Sequence, residues 1–281
     1  MSHLDIIKKY NIAPKKSLGQ NFLVNDNILD EIVDFIDLEN KNIIEVGPGY
    51  GALTSKILSK NPKSLELVEL DKKMIEILND RIENGELRIE NINFKINNAD
   101  ILKFEPNYEE YLVVANIPYY ITSPILTHFF YNTEFQASEM IILMQKDVGD
   151  KILKKSGNKN SVLSLGVDFA CEEVKEIIKV GASNFIPPPK VESSVLYFKL
   201  KKDINKDKSK IFLKLIKAGF AEKRKKLISN LSKIGGYEKK MLDEIFVKLN
   251  LSDNVRAEEL DLDKWNELLD EIALIPNKNL S

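Results

Sequence analysis

The chain has few of the residues that build metal and thiol sites. Its 281 residues include one cysteine, two histidines and one tryptophan. Cys171 alone permits neither an internal disulfide nor a cysteine zinc cluster, and its apolar neighbours predict an inert buried thiol in a reducing compartment. His3 and His128 lie far apart in the sequence, so we interpret both as structural residues and expect no metal site.

Long apolar runs are also missing. No apolar stretch approaches roughly 18 residues, and the first residues lack the charged start and apolar core of a signal peptide. We therefore expect no membrane association and a cytoplasmic location. No coiled-coil seam calls for a dimer, so a monomer is expected. A hydrophobic content of 43% lets a chain of this length bury one large core and a smaller one.

The charge is small overall but segregated along the chain. The net charge is −2, yet residues 199–226 hold 12 Lys and Arg against 3 Asp and Glu, whereas residues 236–281 hold 6 against 11. Four further lysines lie between residues 8 and 16. A local basic surface attracts phosphates even on a slightly acidic protein. Lysine-rich segments are also often merely solvated.

The hydrophobic pattern alternates between strands and helices up to about residue 180. Strands are predicted at 43–46, 64–70, 92–97, 112–115 and 139–145, followed by a terminal antiparallel pair at 174–180 and 194–200. Asn25 is predicted to cap a helix. Later helical periods lie at 211–219, 224–231, 241–249 and 262–274. We predict an α/β chain with a seven-stranded, Rossmann-like sheet in domain 1–202 and a smaller all-helical C-terminal domain, 203–281.

A glycine-rich turn follows the first predicted strand of this sheet, with glycines at alternate positions Gly47, Gly49 and Gly51. Glycine permits positive φ and lets a ligand approach the backbone closely. About 20 residues further on, the second strand ends at Glu69 and Asp71, where a carboxylate can accept from both hydroxyls of a ribose. The pattern predicts a cofactor that contains adenosine.

The spacing of the glycines bears on which cofactor this is. A nicotinamide dinucleotide turn has its last glycine three places after the second, where this chain has Ala52. Alternating glycines with Pro48 between them are the arrangement seen with S-adenosylmethionine. Asp100 follows another apolar strand and is placed to accept from the adenine amino group. Glycine turns also occur without ligands, and Glu69 or Asp100 can simply cap helices.

Asn116-Ile117-Pro118-Tyr119 closes the apolar run that ends at Ala115. An exocyclic amine of a base is a poor nucleophile because its lone pair is delocalised into the ring. The Asn116 side-chain oxygen and the Ile117 carbonyl are candidate acceptors for its N–H groups, and Pro118 restricts the residue before it to extended geometry. Tyr119 offers a ring on which a flipped base can stack. A plain strand-to-turn junction also explains this short string.

Through these motifs the chain resembles the ribosomal RNA adenine N6-dimethyltransferases of the small subunit. The resemblance runs through residues 15–23, 116–124, 144–148, 185–193, 224–227 and 256–260. It implies six cofactor contacts, at Asn21, Leu23, Gly47, Glu69, Asp100 and Asn116. It also implies that Asn116 is shared with the target amine and that Tyr119 is the stacking wall, which makes these two the catalytic residues. Phe185 would form the opposite face of the base pocket, although core packing explains it equally well.

The function implied by the resemblance is S-adenosylmethionine-dependent dimethylation of the N6 amines of two adjacent adenines. These adenines lie near the 3′ end of small-subunit (16S) ribosomal RNA, and the implied partner is that RNA within a pre-ribosomal particle. Three alternatives remain open at this point. They are a related large-subunit adenine methyltransferase, a nicotinamide oxidoreductase, and a non-catalytic assembly or transcription factor that has kept the fold.

Overall fold

The computed structural model describes residues 1–157, 159–202 and 204–273. The chain divides into two compact units. The first comprises Met1–Gly149 and Glu173–Leu200, and the second comprises Asp150–Glu172 and the described residues from Lys201 onward. The domain boundary between residues 202 and 203 stays a prediction. The structure groups the segment 150–172 with the helical unit because Leu165 belongs to the core of that unit.

Nine strands lie in the described part of the chain: β1 (Phe22–Leu23), β2 (Asn42–Val46), β3 (Ser64–Glu69), β4 (Asn93–Asn98), β5 (Leu112–Asn116), β6 (Glu139–Gln145), β7 (Cys171–Val180), β8 (Phe185–Ile186) and β9 (Ser193–Leu200). The α-helices of the same residues are α1 (His3–Lys9), α2 (Asp26–Asp34), α3 (Ala52–Leu58), α4 (Lys72–Glu83), α5 (Thr122–Thr127), α6 (Lys146–Ile152), α7 (Val162–Ala170), α8 (Lys206–Gly219), α9 (Leu227–Lys233), α10 (Lys239–Lys248) and α11 (Leu262–Ala273).

Seven strands form one sheet in the order β4-β3-β2-β5-β6-β9-β7, which confirms the predicted sheet. The first five are parallel to their neighbours, and β9 runs antiparallel to β6. Central strands such as β2 and β5 are buried on both faces, which explains their unbroken apolar runs. The strand order reverses on either side of β2, and ligands bind at the carboxyl ends of strands beside such a switch point.

A second, two-stranded sheet fixes the segment before α2. Strand β1 pairs antiparallel with β8, so that Leu23 lies opposite Phe185. The predicted capping by Asn25 is confirmed, since its side chain accepts from the backbone N–H of Asn27 at 3.0 Å. Phe22 packs edge-to-face on Tyr50 at a centroid distance of 5.3 Å. The N-terminal segment therefore packs directly against the glycine turn.

The second unit has its own core around the fully buried Trp265. Phe169 stacks on Phe212 at a centroid distance of 4.1 Å, which joins α7 to α8. A Cβ on Gly219 would lie 2.5 Å from the Trp265 ring, so this position needs glycine for close packing. The four predicted helices are present as α8 to α11. Helix α9 begins three residues later than predicted because residues 221–226 form an exposed turn, and Leu274 lies outside the described residues.

The two histidines have structural partners. The ring of His128 is buried and its Nε2 lies 2.9 Å from the carbonyl oxygen of Phe104. The Nδ1 of His3 lies 3.1 Å from the hydroxyl of Tyr50. Cys171 is buried, and burial raises the pKa of its thiol. Among the described helices, none is both long enough and apolar enough to cross a membrane.

Strand β2 buries one carboxyl group in the core of the sheet. Glu45 is 1% exposed, and its Oε2 has no hydrogen-bond partner among the described residues. Loss of hydration raises the pKa of Glu45 to about 8, and the nearby charge of Glu69 adds to the rise. The folded protein therefore holds this proton more tightly than the unfolded chain does.

Replacement of Glu45 by glutamine tests this burial. A raised carboxyl pKa makes folding stability fall as the pH rises from 4.5, the ordinary value, to about 8, with no further loss above that. Glu45→Gln is neutral throughout, so it gains stability relative to the wild type as the pH rises through this window. Urea unfolding of both proteins at intervals across the window measures the difference. A constant difference in unfolding free energy would contradict the buried, protonated state of Glu45.

Candidate active site

One cavity of about 350 Å³ opens at the carboxyl ends of the parallel strands. Most of its wall comes from five segments of the first unit: the N-terminal segment, the glycine turn, the end of β3, the loop after β4 and the turn after β5. All seven site residues predicted from the sequence lie in its wall: Asn21, Leu23, Gly47, Glu69, Asp100, Asn116 and Tyr119. Residues up to 98 positions apart in sequence therefore meet at one site.

The glycine turn leaves room for a ligand beside its backbone. Gly47 has φ +66°, Gly49 +57° and Gly51 +88°, a region that side-chain-bearing residues rarely adopt. A Cβ on Gly47 would meet only the carbonyl oxygen of Asn116, at 3.6 Å. The space beside Gly47 is thus part of the cavity. It stays open because glycine has no side chain to fill it.

Glu69 is the carboxylate at the end of β3 that faces the cavity. Its Oε2 accepts from the backbone N–H of Gly49 at 3.1 Å and its Oε1 accepts from that of Asp71 at 2.8 Å. Burial raises the pKa of Glu69, and these two donors act in the opposite direction. Each carboxylate oxygen has a second lone pair, so Glu69 retains capacity for the two hydroxyls of a ribose.

Asp100 has both of the roles considered from the sequence. Its Oδ1 accepts from the backbone N–H of Leu102 at 3.0 Å, which caps the short 3₁₀ helix Ile101–Lys103. The same residue lies in the cavity wall. Its second carboxylate oxygen is free of this capping bond, so capping does not exclude contact with a ligand.

The Asn116 turn forms the wall opposite Glu69 across the glycine turn. Asn116 is the last residue of β5, and its side chain makes no hydrogen bond to any described residue. Pro118 has φ −57°, as its ring requires, and an extended ψ of 135°. A Cβ on Gly19 would lie 3.2 Å from the Cβ of Pro118, so the N-terminal segment rests on this turn. The turn is therefore supported from outside while its first side chain stays free.

Tyr119 is fixed through its hydroxyl and presents its ring to the cavity. Its ring lies in the cavity wall, and its hydroxyl is 2.6 Å from the Oγ of Ser193 at the start of β9. Burial raises the pKa of Tyr119. Phe185, in contrast, is 2% exposed within the core and is not one of the residues that line the cavity. The structure supports the core-packing interpretation of Phe185.

Several lining residues were not singled out from the sequence. Leu70, Leu102 and Tyr120 lie in the cavity wall, and Tyr120 is 63% exposed. Leu70 directly follows Glu69 and Tyr120 directly follows Tyr119, both of them predicted site residues. Large apolar side chains at positions next to strand-end polar residues are the signal that points to them.

The residues present fit a cofactor that combines adenosine with a cationic group. Glu69 and Asp100 supply carboxylates for hydroxyl and amine donors, and the cavity volume lies within the usual range for small-molecule sites. Glu45 also lines the cavity with an oxygen that lacks a partner in the described residues. A ligand with a positively charged donor would satisfy that oxygen, which a purely apolar ligand would leave unpaired.

Comparisons with known proteins find a family and relatives whose names refer to ribosomal RNA. The family model described as Ribosomal RNA adenine dimethylase matches residues 12–274. A Ribosomal RNA small subunit methyltransferase A from Mycoplasma mobile is 39% identical over 260 residues, covering 92% of this chain and 98% of the relative. The protein of the same name from Bacillus cytotoxicus is 34% identical and covers 98% of this chain and 96% of its own length.

A solved structure shares the fold. The dimethyladenosine transferase from Plasmodium falciparum has a TM-score of 0.73 at 24% identity, covering 89% of this chain and 96% of that one. The match in fold, the family model over most of the chain and the two relatives over nearly their whole length all agree. The chain belongs to the ribosomal RNA adenine dimethylase family.

Proposed function

We propose that this protein transfers methyl groups from S-adenosylmethionine to the N6 amines of two adjacent adenines near the 3′ end of small-subunit ribosomal RNA. Membership of the family supports adenine dimethylation of ribosomal RNA with this cofactor. The observation that carries the proposal is a single cavity. The Asn116 turn, which suits an exocyclic amine, shares its wall with Gly47, Glu69 and Asp100, which suit adenosine.

Six residues would hold the cofactor. Glu69 accepts from the ribose hydroxyls, Asp100 accepts from the adenine amine, and the open backbone at Gly47 admits the chain that bears the sulfonium. Asn21 and Leu23 cover the site from the N-terminal segment, and Asn116 borders both ligands. When bound, S-adenosylmethionine supplies the activated methyl group.

The Asn116 turn would position the target base. The Asn116 side-chain oxygen and the Ile117 carbonyl accept from the two N–H groups of the adenine amine, which localises the nitrogen lone pair. Tyr119 stacks on the base and fixes its plane. The amine loses its extra proton to solvent after transfer, because a substituted, positively charged nitrogen is acidic. Catalysis then rests on orientation, which can contribute about 7–11 kcal/mol.

The second unit offers a surface for RNA phosphates. Residues 221–226 form a fully exposed turn that includes Lys223, Arg224, Lys225 and Lys226. None of these four cations forms an ion pair with a described residue. The buried side chain of Asn230 holds the turn by donating to the carbonyl oxygens of Gly219 and Glu222, at 2.6 and 3.1 Å. Fixed, unneutralised cations attract a polyanion without sequence preference.

The proposal extends to the substrate particle and the cell. The names of both relatives favour the small-subunit RNA over the large-subunit alternative. We propose that the RNA is met within a pre-ribosomal particle in the cytoplasm and that the protein acts as a monomer. Mapping the methylated adenines by mass spectrometry in cells that lack the protein tests the choice of RNA.

Removal of the Asn116 amide tests the amine-binding role. We expect Asn116→Ala to lose methyl transfer by about 10²–10³-fold, as for loss of one preorganised polar contact to reacting atoms. Binding of the cofactor should persist in weakened form. Tritiated-methyl incorporation into undermethylated small subunits measures the rate. Asn107→Ala, at an exposed position of the same unit, is the control and should keep full activity. Normal turnover of Asn116→Ala would end this assignment.

Two substitutions of Tyr119 separate the contribution of its ring from that of its hydroxyl. Tyr119→Phe keeps the stacking face and should retain activity within a few-fold. Tyr119→Ala removes base stacking, which is worth about 1–3 kcal/mol, and should lower kcat/KM for RNA by about tenfold or more. Cofactor affinity, measured by calorimetry, should change little in either variant. Equal losses in Phe and Ala variants would assign the role to the hydroxyl and refute stacking.

The basic turn is tested by the salt dependence of RNA binding. Lys223→Gln with Arg224→Gln should lower the slope of log affinity against log salt by up to ~0.7 per lost phosphate contact. Lys239→Gln with Lys240→Gln, exposed on α10, changes the net charge equally and serves as the control. Filter binding over a range of salt gives both slopes. If the two double variants have the same slope, the turn is not a specific phosphate surface.

A further inference from the structure

Asp71 has a different position from the one its sequence context suggested. It follows Glu69 by two residues but is not part of the cavity wall. Its side chain is 1% exposed and accepts from Lys15 Nζ at 2.7 Å and Gln20 Nε2 at 3.1 Å. It also caps α4 by accepting from the backbone N–H of Lys73 at 3.0 Å. One buried carboxylate thus gathers three donors, two of them from the N-terminal segment.

These two donors belong to the arm, residues 15–23, that carries Asn21 and Leu23. A hydrogen bond within the arm joins its two donors to Asp71: the backbone N–H of Lys15 donates to Gln20 Oε1 at 2.9 Å. Gln20 directly precedes Asn21, which lines the cavity. Beyond Asn21, Leu23 is paired with β8. Asp71 therefore anchors the arm at Lys15 and Gln20, on the side away from the end that pairs with β8.

Asp71 also contacts the proposed ribose acceptor, through its backbone. Its N–H donates to Glu69 Oε1 at 2.8 Å, and the Gly49 N–H occupies Oε2 at 3.1 Å. The side chain and the backbone of one residue thus fix two parts of the cofactor site. A change in the Asp71 side chain alters the hold on the arm and leaves the backbone bond to Glu69 available.

The contact between Asp71 and the arm is electrostatic. Burial alone would raise the pKa of Asp71, but the hydrogen bonds from Lys15 and Gln20 keep it below its ordinary value, so the group is charged at neutral pH. Lys15 is 46% exposed at its side chain, so part of its charge remains hydrated. Removal of either partner leaves the other without its main counter-charge, and the closed position of the arm becomes less favourable.

We propose that Asp71 is a positioning residue whose ion pair with Lys15 latches the arm over the bound cofactor. The inference rests on the proposed function, because it assigns the arm to the cofactor site. The ion pair sets cofactor affinity without touching the cofactor. Closure of the arm and binding of the cofactor then favour each other, since each stabilises the same position of Asn21 and Leu23.

The test is a double-mutant cycle on Asp71→Asn and Lys15→Met, with binding of S-adenosylhomocysteine measured by calorimetry. Asparagine caps helices as well as aspartate does, so Asp71→Asn keeps the cap of α4 while it removes the charge. We expect each single variant to bind about tenfold more weakly, the loss typical of a charge-assisted hydrogen bond. The double variant should lose no more than either single variant, because both changes break one interaction.

A matched ion pair between β3 and β4 of the same unit controls for general destabilisation. Lys95 Nζ lies 3.0 Å from Glu66 Oε1, with a carboxylate side chain that is 5% exposed, and Glu66 also accepts from Asn97 Nδ2. Neither Lys95 nor Glu66 lines the cavity. Glu66→Gln and Lys95→Met should therefore bind the ligand normally, with melting temperatures lowered about as much as in the Asp71 cycle.

The outcomes distinguish failure of the latch from failure of the proposed ribose contact. Wild-type affinity in Asp71→Asn, additive losses in the cycle, or equal weakening in the Glu66 and Lys95 controls would each overturn the latch. If Asp71→Asn does not fold, Lys15→Met carries the test alone, because it acts from the exposed side of the pair. Glu69→Gln is measured in parallel: weak binding there with normal binding in Asp71→Asn rejects only the latch, whereas normal binding in Glu69→Gln rejects the proposed ribose contact.

Discussion

The parallel pairing of β2 with β3 and with β5 is the constraint on which the site depends. In this register Val46 lies opposite Val68 on one side and Ala115 on the other. One step further along each strand come Gly47, Glu69 and Asn116. Because the side-chain period of a strand is two, a slip of one residue in either pairing would turn one of these groups away from the cavity. Burial of both faces of β2 fixes the register and with it the geometry of the site.

The glycine turn adds a second constraint at the same edge. Three residues with positive φ within five positions bring the backbone back towards α3, and packing from several sides keeps them there. Phe22 lies against Gly49, and a Cβ on Gly51 would lie 2.8 Å from Leu78. The buried Arg81 donates to the carbonyl oxygen of Tyr50 within the same turn. The protein's own contacts therefore hold the turn in this shape without a ligand, which reduces the entropy lost on binding.

Much of this arrangement follows from the sequence, since the strands are long apolar runs and the glycines stand at their ends. The choice between Glu69 and Asp71 does not follow. The two residues are an even number of positions apart, so an extended strand would place them on one face. The strand ends at Glu69, however, and Asp71 becomes the cap of α4, with its partners supplied by Lys15 and Gln20. Only the long-range position of the arm decides between the two carboxylates.

Local sequence patterns are also insufficient to assign residues 150–172 to one of the two units. Helix α7 is apolar enough to belong to either unit, and its periodicity does not say which core it enters. The stacking of Phe169 on Phe212 and the burial of Leu165 among the residues of α8 and α11 decide the matter. Such contacts join residues more than forty positions apart, beyond the reach of local patterns.

Dimethylation requires different behaviour from the two proposed acceptors, the Asn116 side-chain oxygen and the Ile117 carbonyl. After the first transfer the amine has one N–H left, so one acceptor keeps its partner and the other faces a methyl group. Ile117 is buried and precedes a proline, which fixes its carbonyl direction. The Asn116 side chain has no hydrogen bond to the described residues and is free to turn about its own bonds. If the acceptor roles proposed above hold, the second transfer depends on this difference: the fixed carbonyl holds the remaining N–H, and the amide rotates to admit the methyl group.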